Sequence, residues 1–156
     1  MGYDLHAVIG GEEVLRAAGR GITAARSAPI GQGLALMLMT DALLDGFEAG
    51  DEERALGFWR LPEVLAGELA GWSAAGPVAY VEAEYFGGLG EQRAAVWDGG
   101  ALVFGPLHVD EGEPFPPAGS PISQALRRLG AVTGAGEDEF SAVGLDRHRH
   151  DDAWIS

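Results

Sequence analysis

The segment Tyr80-Val-Glu-Ala-Glu-Tyr-Phe-Gly-Gly-Leu-Gly-Glu-Gln-Arg-Ala-Ala-Val-Trp97 constrains the fold more than any other stretch. Residues 78–86 and 91–97 alternate, and successive side chains of a strand point to opposite faces. Ala79, Val81, Ala83 and Tyr85 then share one face, and Val78, Tyr80, Glu82, Glu84 and Phe86 share the other. Gly87-Gly-Leu-Gly90 predicts a four-residue loop, because glycine accepts the positive φ that tight turns need. Closed by Phe86 and Glu91, that loop sets Glu84 opposite Arg93, Glu82 opposite Ala95 and Tyr80 opposite Trp97. On the reverse side Ala83 meets Ala94 and Val81 meets Val96. A slip of one residue would turn the apolar face to water, so the pattern supports a hairpin. Asp98-Gly-Gly100 is a second turn signal before Ala101–Gly105. The expectation is a three-stranded antiparallel meander over residues 78–105.

The rest of the chain alternates short strands with short helices. Tyr3–Ile9 reads as a strand with Tyr3, Leu5, Ala7 and Ile9 on one face and Asp4, His6 and Val8 on the other. Gly10-Gly11 breaks it, and Glu12–Ala18 reads as a helix with acidic residues in its first turn, where the dipole favours them. Ile22–Pro29 and the apolar run Leu34–Met39 are expected as strands. Thr40-Asp41 offers a cap for a helix over 41–47, and Glu48–Arg54 is an acidic loop or an extension of it. Leu61-Pro62 opens a helix with Val64, Leu65, Leu69 and Trp72 as its apolar stripe.

From Pro106 to Gly119 the prolines and the acidic run Asp110-Glu-Gly-Glu113 predict a loop. Ser120-Pro121 is a cap followed by proline at the first helical position, with Ile122, Ala125, Leu126 and Leu129 facing in. Glu137–Val143 is a last short helix with Phe140 and Val143 inward, and a tail runs from residue 146. Tight antiparallel pairings among interspersed helices predict a single α+β domain over 1–156 with a mostly antiparallel sheet and a mobile tail.

Tyr85-Phe-Gly-Gly-Leu-Gly-Glu-Gln92 resembles the signature of a family of small uncharacterised bacterial proteins. Ile122-Ser-Gln-Ala-Leu-Arg-Arg-Leu-Gly130, Asp138-Glu-Phe-Ser-Ala-Val-Gly-Leu145 and the arginine-rich end are similar to segments of the same family. The resemblance implies a shared fold and no activity.

Composition removes several chemistries. There is no cysteine, so disulfides, thiolate metal sites and cysteine nucleophiles are excluded, which fits a cytoplasmic protein. There is no lysine, so a Schiff base and a P-loop lysine are excluded. No apolar run approaches the ~20 residues of a membrane span, and the N-terminus lacks the basic and apolar regions of a secretory signal. The net charge of −14 repels nucleic acid and steers a basic partner inward.

The candidate partner-binding residues are Tyr80, Glu82, Glu84, Glu91, Gln92, Arg93 and Trp97, all at or beside the outer hairpin face. Glu82 and Glu84 share that face, and paired carboxylates can divide acid and base roles or hold a hard cation. The plainer reading is a solvated sheet face paired with Arg93, since antiparallel sheets commonly keep one face wet. His6 and His108 are isolated in sequence. His148, His150, Asp151 and Asp152 carry metal-compatible atoms without the spacing of a zinc motif, so no metal is assigned. The Gly-Gly-Leu-Gly tip precedes a strand rather than a helix, and no cofactor is expected.

Three functional readings follow. The first is a cytoplasmic interaction protein that binds a basic protein partner, of which a toxin-neutralising immunity protein is one case. The second is a small enzyme or metal binder using Glu82 and Glu84 with a histidine. The third is a self-associating protein whose outer hairpin face meets its own copy.

Overall fold

The computed structural model describes residues 2–47, 54–87 and 89–154. Its strands are β1 Gly2–Gly11, β2 Ser27–Pro29, β3 Leu34–Leu38, β4 Val78–Phe86, β5 Leu89–Asp98 and β6 Ala101–Val109. Its helices are α1 Glu12–Gly19, α2 Asp41–Asp45, α3 Glu63–Trp72, α4 Pro121–Arg128 and α5 Glu139–Ala142. The strands form one six-stranded sheet in the order β2-β3-β1-β4-β5-β6, antiparallel throughout. This is the α+β class that the sequence predicts.

Helix starts follow local chemistry. Thr40, Ser120 and Asp138 each accept a hydrogen bond from a backbone N–H three residues on, at Leu43, Ser123 and Ser141. These caps satisfy donors that the first helical turn leaves free. Pro62 precedes α3 instead of lying inside it, and Val64 is exposed, so the buried stripe there is Leu65 and Leu69 with Trp72 partly covered. The acidic stretch expected over 48–54 lies outside the described residues except for Arg54, which bridges Pro62.

The β4–β5 hairpin forms with its two faces as expected but with different partners. Phe86 pairs with Leu89, so the ladder runs past the ends of the predicted four-residue loop. Every partner moves by two residues: Glu84 faces Glu91, Glu82 faces Arg93, Tyr80 faces Ala95, and Val78 faces Trp97. On the reverse side Ala83 faces Gln92 and Val81 faces Ala94. A shift of two preserves which face each side chain occupies, so the hydrophobic pattern cannot choose between these registers. The tip explains the choice. Gly87 has φ of +63°, and Gly90 lies so close to Tyr85 that a Cβ there would overlap the Glu84 carbonyl. With glycine at 90, the strands pair to the very end.

The meander also runs further than predicted. β6 continues through Pro106 to Val109, with register irregularities opposite Ala94–Trp97. Proline is tolerated there because β6 is an edge strand with ladder bonds on one side only. His108 therefore sits on a strand, opposite Arg93.

Both faces of the sheet are covered, which corrects the expectation of one wet face. On one face Leu5, Ile9, Leu36, Val81 and Val96 pack under Ile122 and Leu126 of α4, Val143, Leu145 and Trp154. On the other, Val8, Met37, Val78, Tyr80 and Trp97 pack under Leu15 of α1, Leu43 and Leu44 of α2, and Leu65 and Leu69 of α3. The second layer leaves one corner of its face uncovered by apolar side chains, at the N-terminal half of β1 and the hairpin end of β4 and β5.

The tail is bound at that corner. β3 pairs only with residues 7–11 of β1, which leaves backbone N–H groups of the first half of β1 without a strand. The tail supplies acceptors: Asp4 N–H donates to the Arg149 carbonyl at 2.7 Å and His6 N–H to Asp151 Oδ1 at 2.8 Å. Tyr3 Oη also donates to the Leu145 carbonyl, and Trp154 is buried. No helix among the described residues is long and apolar enough to cross a membrane.

Candidate functional site

The uncovered corner is an open cleft of about 980 Å³. The registers build its floor in two rows. Asp4, Glu84 and Glu91 stand side by side on β1, β4 and β5, and His6, Glu82, Arg93 and His108 form the next row across β1, β4, β5 and β6. Trp59 and Arg60 overhang the floor from the segment before α3, His150 comes from the tail, and Phe86 and Leu89 stand at the hairpin rim.

His6 is the centre of this arrangement. It is 6% exposed. Its Nδ1 lies 2.7 Å from Asp151 Oδ2 and its Nε2 lies 2.9 Å from Glu84 Oε2. Asp151 grips the residue twice, since its other oxygen accepts the His6 backbone N–H. Burial works against the charged ring, but the hydrogen bonds to Asp151 and Glu84 outweigh it and raise the His6 pKa above its ordinary value. With a carboxylate at each ring nitrogen, the form that satisfies both is the imidazolium, which donates twice. Beside this chain, His150 Nδ1 lies 2.5 Å from Asp4 Oδ1, and Asp4 Oδ2 accepts the Asp151 backbone N–H.

Glu82 has a different role. It is completely buried. One oxygen accepts the Trp59 backbone N–H at 2.7 Å, and the other accepts the Arg60 N–H at 2.8 Å and the Tyr80 hydroxyl at 2.6 Å. A carboxylate held by several donors is well compensated for lost solvation. The Tyr80 phenol is pushed well above its ordinary pKa by burial and then by the Glu82 charge and hydrogen bond, which keeps it a donor. Glu82 therefore ties the segment before α3 to the sheet and sets Trp59 over the cleft. Arg93 stacks on Trp59, 4.4 Å from the ring centre, and donates to the Gly57 carbonyl. The His6 ring stands tilted against Trp59, with ring centres 6.3 Å apart.

The structure thus divides the residues singled out in the sequence. Glu84 and Glu91 line the cleft, and Arg93 backs it. Tyr80, Glu82 and Trp97 are buried beneath the second layer and present no surface to a partner. Gln92 points to the opposite face, where its Oε1 accepts the Ile122 N–H. His6 and His108 do join the carboxylate face, His6 through Glu84 and His108 through Glu91 and Asp110. His148 packs on Trp154 and stays out of the cleft.

Asp4, Trp59, Arg60, His150 and Asp151 were not visible from local pattern as members of the site. Two signals existed: the alternation that put Asp4 and His6 on the same side of β1, and the metal-compatible His150 and Asp151 in the tail, with nothing local to bring the two together. Among the described residues, two groups carry donor atoms close enough to share a cation: Asp4, His6 and Asp151, and Glu91, His108 and Asp110, with the atoms of each group within 4.8 Å of one another.

Chemically, the cleft offers carboxylates of Asp4, Glu84, Glu91 and Glu111 with two exposed apolar side chains at its edge, Phe86 at 81% and Leu89 at 56%. Its cationic groups are already engaged: His6 by two carboxylates, Arg60 by the Met39 carbonyl and Asp41, Arg93 by Trp59 and Gly57. Such a cleft attracts positive charge. No family model, curated protein or solved structure matches the chain.

Proposed function

We propose that the protein is a cytoplasmic recognition protein that takes a basic protein partner at this cleft. The observation that carries the reading is the pairing of an acidic floor with the exposed Phe86–Leu89 rim. Large apolar side chains at the edge of a charged cleft supply anchor area, while the carboxylates and the overall charge of −14 steer a basic surface inward. Glu84 and Glu91 remain from the residues expected of the hairpin, while Asp4, Phe86 and Leu89 take the place of Tyr80, Glu82, Gln92 and Trp97. An immunity protein that neutralises a basic toxin is one partner-binding protein of this kind.

An array of arginine-rich peptides, read by fluorescence anisotropy, tests the proposal. Binding is expected to weaken steeply with added salt. Glu84→Gln with Glu91→Gln slows association, and Phe86→Ala costs about 2 kcal/mol as an anchor. Equal binding by wild type and the combined variant would refute the reading.

The alternative of a small enzyme or metal binder draws support from the Glu84–His6–Asp151 chain, with Glu84 and a histidine as expected but Asp151 in the place given to Glu82. Self-association through the outer hairpin face would have only its open end to use, at Glu84, Phe86 and Leu89, because the helical layer covers Tyr80 and Trp97.

A further inference from the structure

We propose that Asp4, His6, His150 and Asp151 form a binding site for a divalent transition metal, with zinc as the ion their donors suit best. The orientation of each donor supports the site whether or not a protein partner also uses Asp4 and Glu84. His6, Asp151 and Asp4 each have one polar atom held by Glu84 or by a backbone N–H and another turned to a side chain of the group. His6 offers Nε2 to Glu84 and turns Nδ1 to Asp151. Asp151 offers Oδ1 to the His6 backbone N–H and turns Oδ2 inward. Asp4 offers Oδ2 to the Asp151 N–H and turns Oδ1 to His150 Nδ1.

This is the outer-shell pattern of metal centres, in which a ligating histidine gives its remaining ring N–H to a carboxylate. Donor atoms of Asp4, His6 and Asp151 already lie within 4.8 Å of one another; His150 stands outside that group and touches it through Asp4. Two imidazole nitrogens and two carboxylate oxygens make a set that zinc takes tetrahedrally, with bonds of about 2.0–2.2 Å. Such bonds space the donors about 3.3–3.5 Å apart. The present separations of 2.7 Å for His6–Asp151 and 2.5 Å for Asp4–His150 open by less than about 1 Å, while the exposed His150 ring swings inward toward His6 and Asp151.

At His6 the ion takes the place of the Nδ1 proton shared with Asp151, and that proton passes to solvent. Two carboxylates then balance the charge of the ion, and Glu84 keeps the His6 Nε2–H. The neighbouring group of Glu91, His108 and Asp110 is a poorer candidate, because Arg93 lies 3.6 Å from Glu91 and opposes a second cation. The four ligands come from β1 and from the tail, so a bound ion would fasten the two ends of the described chain together.

The test is calorimetric titration of the full-length, chelator-stripped protein with zinc chloride, with cobalt chloride as a spectroscopic substitute. The expected result is saturable, equimolar binding, a tetrahedral cobalt spectrum and a raised Tm. His150→Ala, at a half-exposed ring whose loss leaves the core intact, and Glu84→Gln should each weaken zinc binding by about tenfold or more. His148→Ala should leave it unchanged. Should His150→Ala perturb the fold by circular dichroism, Asp4→Asn provides the second variant. Absence of saturable binding, weak multi-ion binding, or a site removed by His108→Ala instead of His150→Ala would overturn the proposal.

Discussion

The second-layer face of the sheet has two ends that are held in different ways. At one end Val8, Met37, Val78, Tyr80 and Trp97 lie under the apolar sides of three helices. At the other, Asp4, His6, Glu82, Glu84, Glu91 and Arg93 carry the same strands onward with hardly an apolar side chain among them. Apolar burial is non-directional and tolerates some rearrangement. The polar end depends on particular donors meeting particular acceptors, and a buried donor left alone is costly. The cleft is therefore the part of the face where hydrogen bonds replace apolar packing. Its shape depends on a few residues: Glu82 for the overhanging segment, and His6 with Asp151 for the tail.

The largest effect is expected from Glu82→Ala, which strands the Trp59 and Arg60 N–H groups and the Tyr80 hydroxyl in the interior. The cost should be about 3–5 kcal/mol by urea denaturation, accompanied by a changed Trp59 environment in fluorescence. Leu126→Ala, in the core of the opposite face, should cost about 2–4 kcal/mol. It should leave the tryptophan signal near the cleft as it was, because the two cores meet only through the sheet. A Leu126 variant that loosens the cleft as much as the Glu82 variant would break the distinction between the two ends.

His6→Gln comes next. It removes a double hydrogen-bond donor between Asp151 and Glu84 and should cost about 1–2 kcal/mol. The readout is local: faster amide exchange of the tail residues 149–153, with the helices of the second layer unchanged.

The smallest effect concerns pH and lies away from the cleft. A hydrogen bond from Arg127 lowers the Glu139 pKa, against an opposing push from burial. The native state therefore holds this proton less tightly than the unfolded chain does. The contribution is present above the ordinary carboxylate value of 4.5 and is lost as pH falls through the lower, folded value. Glu139→Gln should flatten the acid side of the stability profile slightly, while His6→Gln leaves that part of the profile in place.

How much of this was legible in the sequence depends on the range over which the information acts. Thr40, Ser120 and Asp138 cap their helices through a backbone group three residues away, and such signals can be read locally. The faces of β4 and β5 were legible because side-chain direction has a period of two. The partners were not, since a shift of two leaves the faces unaltered. Glu82 misled for a related reason: alternation says which way a side chain points and not whether something covers it. The segment that covers it lies more than twenty residues earlier, and its anchor is backbone N–H, which every residue there except Pro62 carries. The link from His6 to Asp151 spans 145 positions and follows from β3 being too short to pair all of β1. Pro106 suggested the end of a strand, and only the edge position of β6 permits the continuation that brings in His108.

The most direct measurement of the central claim, that Glu82 holds the overhang of the cleft through backbone hydrogen bonds, is residue-resolved hydrogen exchange of the Trp59 and Arg60 amides. Wild type is compared with Glu82→Gln, which nearly preserves side-chain volume but removes the charge and leaves one carbonyl oxygen as acceptor. The account predicts strong protection at both amides in wild type and a marked, local loss of it in the variant, with the amides of β1 and β4 unaffected. Equal protection in the two proteins, or a loss spread evenly over the sheet, would contradict it.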